Sequence, residues 1–92
     1  MSRVLAAALE RLLPDLRGFA RSITTNSSDS EDVVQDAVER ALRSHAAPEG
    51  DEALRRWMFR VIRNLAIDEL RKLRVRREYS AAQVRLHHDG PP

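Results

Sequence analysis

Apolar residues recur along this chain at intervals of three and four, which is the period of one face of an α-helix. Four segments carry such a stripe, around Leu9, Phe19, Val38 and Ile62, and no segment has the alternation of a β-strand. The chain has 92 residues, of which 42% are hydrophobic, so it can form one small core. We therefore predict an all-α fold, a small bundle of about four helices.

Local signals mark the boundaries of the first three predicted helices. Pro14 ends or kinks the first helix, or serves as the first residue of the second. Ser28 and Glu31 have capping-box spacing at the start of the third helix, where Ser30 is a competing N-cap. The polar cluster that contains these serines separates the second helix from the third.

In the second half of the chain the helical apolar pattern is interrupted once. Pro48 and Gly50 predict a loop over residues 45–52, because both residue types break a helical pattern. The fourth and longest predicted helix follows and runs to about Arg74. The apolar period fades after residue 77, which is typical of a frayed end or a linker.

Charge is distributed unevenly, although the formal net charge is only +2. Residues 26–52 contain eight acidic and two basic side chains, a net charge of −6. Residues 53–77 contain nine basic and two acidic side chains, a net charge of +7. This asymmetry indicates two partners of different chemistry rather than one uniformly charged surface.

Several classes of site have little support in the sequence. The chain has no cysteine, which excludes disulfides and thiolate metal sites, and it has no apolar run long enough for a membrane span. Asp32 and Asp36 lie one helical turn apart and could ligate a cation, but a solvated acidic face is favoured. A tail remnant is likewise favoured over weak metal binding at His87 and His88. We predict no catalytic residue, no metal, no cofactor and no membrane insertion.

The polar side of the fourth predicted helix is rich in cations. Like charges at helical spacing repel one another, and few carboxylates are interleaved to neutralise them. Phosphates would supply the missing anions, which favours nucleic-acid binding over a solvated basic helix. Trp57 lies on the apolar stripe, so its interpretation as a core residue is favoured over stacking on a base. The polar residues off the stripe are Arg55, Arg56, Arg60, Arg63, Asn64, Arg71, Lys72 and Arg74.

Two motifs in order carry a family resemblance. The first is DSEDVVQDAVERALRSH with the core Asp32–Asp36, and the second is LRRWMFRVIRNLAIDELRKLRVRRE. Together they resemble region two of bacterial sigma factors of the extracytoplasmic-function (ECF) group, over about residues 9–78. In the second motif the resemblance lies in Trp57, Met58, Phe59, Arg60, Val61 and Ile62, then Arg63, Asn64, Asp68 and Arg71. The stretch LLPDLRGFARSI also resembles the alphaproteobacterial general-stress-response subgroup.

The resemblance implies a polymerase-binding surface on the acidic third helix. In the family this helix docks on the clamp helices, a coiled coil of the RNA polymerase β′ subunit. Taken alone, Asp32 is equally a helix-dipole acid and Gln35 a solvated side chain. The residues implied to bind polymerase are Asp32, Gln35, Asp36, Glu39 and Arg40.

The resemblance also implies that the basic helix and the loop before it meet the minus-ten element of a promoter. There the family opens the duplex and holds a flipped base of the non-template strand in a loop pocket. The residues implied to hold the strand are Arg56, Arg60, Arg63, Asn64, Arg71, Lys72 and Arg74. The base-pocket loop comprises His45, Ala46, Ala47, Pro48, Glu49, Gly50 and Asp51; it is acidic and lacks the aromatic residue often found there in the family.

The implied protein is a cytoplasmic sigma factor that recognises and melts the minus-ten element for transcription initiation, without enzymatic activity. We expect residues 1–77 to form the region-two domain and residues 78–92 an interdomain linker, with the promoter-reading region-four domain absent from this chain. An anti-sigma factor is a further implied partner. The alternative is a sigma-like mimic that binds an anti-sigma factor without binding DNA, and the basic helix favours the genuine sigma factor.

Overall fold

Three helices make up the fold. The computed structural model describes the backbone of residues 3–88 and the side chains of residues 3–81. Within these limits the helices are α1 (Arg3–Ile23), α2 (Ser27–Arg43) and α3 (Asp51–His88), each of which packs against the other two, and no strand is present. The prediction of an all-α fold is confirmed, and the prediction of about four helices is wrong.

The discrepancy lies at Pro14, because α1 runs through it as a single helix. Its buried residues stay in phase on both sides of the proline, with Leu12 before it and Leu16 after it. A proline inside a helix costs about 3 kcal/mol, whereas burying each leucine contributes about 1.5–3 kcal/mol. Pro14 is itself exposed, so water can reach the backbone group that the proline leaves without a partner.

The N-cap of α2 is Asn26, and not Ser28 or Ser30 as predicted. The side-chain oxygen of Asn26 accepts a hydrogen bond from the backbone N–H of Asp29 at 2.8 Å. Asparagine caps as well as serine does, so this polar cluster offers several residues that could begin the helix. Ser30 is instead buried in the first turn, where its hydroxyl donates to the carbonyl of Ser27.

The connection between α2 and α3 is shorter than predicted, and α3 is longer. The loop covers residues 44–50. It ends at Gly50, whose φ of +92° lies in the left-handed region that favours glycine. The helix then continues to His88, well beyond the predicted end near Arg74, because the described sequence after Arg74 contains no glycine or proline to stop it.

The predicted boundary at residue 77 therefore falls inside a helix. The division into a domain over residues 1–77 and a linker over 78–92 stays a prediction, and residues 1–2 and 89–92 lie outside the described part. None of the helices described here combines the length and the apolar character that a membrane crossing requires.

The core lies where the three helices meet. Its largest fully buried side chains are Leu16 of α1 and three residues of α3, namely Leu54, Met58 and Ile62. Trp57 is half-buried and packs against this core, in agreement with its interpretation as a core residue. Since α3 supplies most of the large buried side chains, its first four turns are fixed in direction by packing.

The second half of α3 projects from the bundle. Ala66 is the last buried residue, and every described side chain from residue 68 to residue 81 is exposed. Leu70 and Leu73 remain 53% and 43% exposed, although they continue the apolar stripe of the helix. The projection gives the molecule a longest dimension of 66 Å against 24 and 16 Å in the other directions.

Candidate functional site

An arginine face runs along α3 on the side opposite the core. Arg56, Arg60 and Arg63 follow one another at spacings of four and three, so they share one surface. All three are exposed, and no ion pair joins them to the described carboxylates. Asn64 and Arg71 are exposed on the same side, and no described acid pairs with Arg71 either. We call Arg56, Arg60, Arg63, Asn64 and Arg71 the arginine face.

The other two predicted DNA-binding cations differ from the arginine face in having intrachain partners. Lys72 lies 3.7 Å from Glu69, and Arg74 lies 3.5 Å from Glu78. Arg74 is nevertheless in helical register with the arginine face, because it follows Arg71 by three positions and Arg63 by eleven. Lys72 instead faces α2 across a cleft, so the structure does not place it with the other predicted residues.

Arg55, which precedes the arginine face, is held by α1. Its Nε lies 3.2 Å from the carboxylate of Asp15, and its guanidinium sits 5.0 Å from the ring centre of Phe59. Phe59 in turn stacks on Phe19, with ring centres 4.3 Å apart and planes within 4°. These contacts hold α3 against α1, and no sequence pattern indicated the pairing of Asp15 with Arg55.

The predicted polymerase-binding residues form an exposed face on α2. Asp32, Gln35, Asp36 and Glu39 are all exposed at helical spacing. Two carboxylates of this face have partners on the same helix: Asp36 lies 3.7 Å from Arg40, and Glu39 lies 3.8 Å from Arg43. Arg40, itself predicted to bind polymerase, therefore neutralises part of this acidic face.

A cleft of about 630 Å³ separates the N-terminal half of α2 from the projecting half of α3. Asp32 and Asp36 line the α2 wall together with Asp29. The α3 wall carries basic and apolar side chains and one acidic side chain, Glu69. It includes Leu65, Ala66, Leu70, Lys72, Leu73, Arg76 and Arg77. The two exposed leucines of α3 thus open into a cleft whose other wall is acidic, a surface suited to an amphipathic partner.

The loop between α2 and α3 is held at both ends. At its start the backbone N–H of Ser44 bonds the carbonyls of Arg40 and Ala41, and the Ser44 hydroxyl accepts from the N–H of Ala46 at 3.0 Å. Ala47 and Pro48 are half-buried, whereas His45, Ala46, Glu49 and Gly50 are exposed. Most of the predicted base-pocket residues therefore lie on the surface.

Asp51, the last of those residues, is engaged by α1. The guanidinium of Arg11 donates from Nε and Nη2 to its two carboxylate oxygens, at 3.1 and 2.9 Å. Hydrogen bonding to Arg11 lowers the pKa of Asp51, and burial opposes this shift. Since the pKa of Asp51 is lowered in the folded state, the pair stabilises the fold at pH values above the usual pKa range of an aspartate. This stabilisation is lost as the pH falls through the lowered pKa. Nothing in the sequence indicated this contact.

Metal binding receives no support from the part of the chain whose side chains are described. No group of three or more potential ligands comes together there. The side chains of His87 and His88 lie outside that part. Asp32 and Asp36 share a helix face, but no third ligand joins them among the described residues.

The comparisons with known proteins point to one family. Residues 8–76 match the family described as Sigma-70 region 2. The chain is 42% identical over 77 residues to the ECF RNA polymerase sigma factor SigL of Mycobacterium tuberculosis. It is 36% identical over 62 residues to the ECF RNA polymerase sigma factor EcfG of Rhodopseudomonas palustris. No solved structure shows a significant match.

The matches cover most of this chain but only a minor part of each relative. They cover 76% of this chain for SigL and 67% for EcfG. They cover only 43% of the length of SigL and 34% of the length of EcfG. The chain thus corresponds to less than half of each of these relatives.

Proposed function

The chain belongs to the Sigma-70 region 2 family, and we propose that it acts as the promoter-melting and polymerase-binding domain of an ECF sigma factor. The observation that carries this proposal is the arginine face. Arg56, Arg60 and Arg63 are exposed, share a surface and have no carboxylate partner among the described side chains. Phosphates of a DNA strand are the anions that such a face would bind.

The strand would follow the arginine face along α3. The core fixes the first four turns of this helix, so the guanidinium groups are held at helical spacing before DNA binds. Asn64 on the same face can offer a paired donor and acceptor to a base edge. Arg74 would contribute after exchanging Glu78 for a phosphate, whereas Lys72 faces the cleft and would contribute least.

The loop over residues 45–51 would receive a flipped base of the non-template strand. Its ends are anchored on the bundle, and it lies directly before the helix that carries the arginine face. Unstacking a base costs a few kcal/mol, and contacts to phosphates and to the loop would offset that cost. The acidic character of the loop and its lack of an aromatic side chain argue for contacts other than stacking on a ring.

The polymerase would dock on the acidic face of α2. Asp32 and Asp36 are exposed and also line the cleft, so a helical partner could contact these carboxylates and the leucines of α3 together. Gln35, Glu39 and Arg40 would form the outer part of the same contact. The β′ clamp helices fit this description, since a coiled coil presents both apolar and charged side chains.

Further partners follow from the same assignment. We propose an anti-sigma factor that competes for the polymerase-binding surface and a location in the cytoplasm, where polymerase and promoter DNA are found. We also propose the alphaproteobacterial general-stress-response subgroup, of which the similarity to EcfG is only a weak hint, because the identity to SigL of M. tuberculosis is higher. Assignment to this subgroup therefore remains a proposal.

Binding measurements on this chain test the proposed function. We expect it to bind a single-stranded oligonucleotide with a minus-ten sequence and, separately, a fragment of the β′ clamp helices. If four arginines contact phosphates, log affinity for the oligonucleotide should fall with log salt concentration at a slope of about −3. Fluorescence anisotropy across a salt series measures both the affinity and the slope.

The alternative function gives a different result. A sigma-like mimic would bind an anti-sigma factor, while its response to the oligonucleotide would be absent or independent of salt. That outcome, with the clamp fragment also unbound, would contradict the proposed function. The arginine face would then be only a solvated surface.

A further inference from the structure

A bidentate ion pair connects the start of α3 to a distant part of the chain. Arg11 of α1 and Asp51, the first residue of α3, are 40 positions apart and form two hydrogen bonds. The planar fork of a guanidinium matches a carboxylate in few orientations, so the pair fixes direction as well as distance. Both side chains are about half exposed, and exposed ion pairs contribute little to stability.

The place of this ion pair in the loop indicates its role. The start of the loop is fixed locally by Ser44, which caps α2 and binds Ala46. The end of the loop passes through Gly50, whose backbone conformation is open to few other residues. Arg11 adds a tertiary anchor directly after this glycine. The exposed residues of the loop are thereby held between a contact on α2 at one end and a contact with α1 at the other.

The ion pair also changes the charge that the loop presents. Glu49, Asp51 and Glu52 place three carboxylates within four residues, around the first turn of the helix that carries the arginine face. Unneutralised, they would repel the phosphates of an approaching strand. Arg11 neutralises Asp51 and uses two of its five N–H donors to bind it.

We propose that Arg11 is a positioning residue for the base-binding loop: it holds the loop end and the first turn of α3 on α1 through Asp51. The inference rests on the proposed function, because the loop that Arg11 holds is the one proposed to bind DNA. In this role Arg11 itself need not touch the nucleic acid. Its loss should therefore disorder the loop and weaken strand binding, with little change in global stability.

Asp51→Asn separates positioning from simple electrostatics. Removing a negative charge near DNA should tighten binding if only charge matters. Positioning predicts the opposite, a loss of about fivefold in affinity for the minus-ten oligonucleotide, which is typical of coupled contacts. Glu52→Gln is the matched control, because it removes the same charge from the same helical turn, and it should leave the affinity equal or higher. Asp51→Asn binding as tightly as Glu52→Gln would overturn the proposal.

Arg11→Gln separates positioning from direct phosphate contact. We expect a similar fivefold loss with an unchanged salt slope, whereas loss of one direct phosphate contact would reduce the slope by about 0.7. Arg17→Gln is the control, since Arg17 is another exposed α1 arginine in an interhelical pair, 3.5 Å from Glu31. The double variant with Asp51→Asn should be no weaker than either single variant. A reduced slope, or equal effects of the two arginine variants, would contradict the role of Arg11.

Amide hydrogen exchange of the loop gives a readout that does not depend on DNA. Exchange over residues 45–52 should be faster in Arg11→Gln than in the wild type or in Arg17→Gln, while the thermal unfolding temperature changes little. Unaltered loop exchange would refute the positioning role even if DNA binds. If the wild type fails to bind the oligonucleotide, the proposed function fails, and accelerated loop exchange would then show only that Arg11 orders the loop.

Discussion

The outer faces of α2 and α3 carry opposite charge, and they differ in how that charge is balanced. On α2, Asp36 and Glu39 pair with arginines one turn further along the same helix. On α3, Arg60 and Arg63 have no acidic residue three or four positions away. Arg56 has Glu52 at a suitable spacing, yet no ion pair forms between them in the described structure.

This difference indicates how each face would meet its partner. An acidic helix with its own arginines has a mixed surface, which suits a protein interface that includes salt bridges at its rim. A row of unbalanced arginines keeps a strong positive potential, which attracts a polyanion and releases its counterions on binding. The predictions below test this contrast, from the largest expected effect to the smallest.

Disrupting the shared core should impair the acidic face of α2 and the arginine face of α3 alike. Ile62→Ala removes a side chain that is 0% exposed, and we expect it to lower the free energy of unfolding by about 2–5 kcal/mol. Urea denaturation measures this change. Binding of DNA and of the clamp fragment should weaken together as the protein unfolds. Val75→Ala, at a position 63% exposed on the same helix, should change stability by less than about 0.5 kcal/mol.

Loss of the arginine face should affect DNA alone. The double change Arg60→Ala and Arg63→Ala should weaken oligonucleotide binding by about thirtyfold and reduce the salt slope by about 1.4, because two phosphate contacts disappear. Clamp binding should persist. The control double change Arg17→Ala and Arg21→Ala removes the same charge from α1, and an equal loss of DNA affinity there would show that only net charge matters.

Loss of the acidic face should have the opposite selectivity. Asp32→Asn together with Asp36→Asn should weaken clamp binding by about tenfold, as is typical for central interface residues, and leave oligonucleotide binding intact. Surface plasmon resonance with the clamp fragment measures the effect. The control is Glu10→Gln together with Glu52→Gln, which removes two exposed carboxylates outside α2. If both double variants lose the same affinity for the clamp fragment, the acidic face of α2 is not a specific polymerase-binding surface.

The smallest effect should come from the cations that already have partners. Lys72→Ala together with Arg74→Ala should reduce oligonucleotide affinity by about threefold or less, because Lys72 faces the cleft and both side chains pair with glutamates. Anisotropy at low salt measures this change beside the variant of Arg60 and Arg63. If the Lys72 and Arg74 variant loses as much oligonucleotide affinity as the Arg60 and Arg63 variant, intrachain ion pairing does not separate the cations that bind DNA from those that do not.

The local features of the helices were predictable to different degrees. Apolar periodicity correctly predicted the all-α fold and the buried stripe around Ile62, since burial of one face dominates helix formation in proteins. Pro14 was predicted to end or kink the first helix or to begin the second, whereas α1 continues through it because burial on both sides outweighs its local penalty. Asn26 was missed as the N-cap since several polar residues in the same cluster can serve.

The sequence by itself determined the helical class, the core stripe of α3 and the separation of acidic from basic residues, because these depend on periodicity and local composition. Only the tertiary structure decided which charges are free. Packing brought Asp15 to Arg55 and Arg11 to Asp51, and it turned Lys72 toward α2. Such contacts join residues far apart in the chain, and their geometry depends on how whole helices pack rather than on any local pattern.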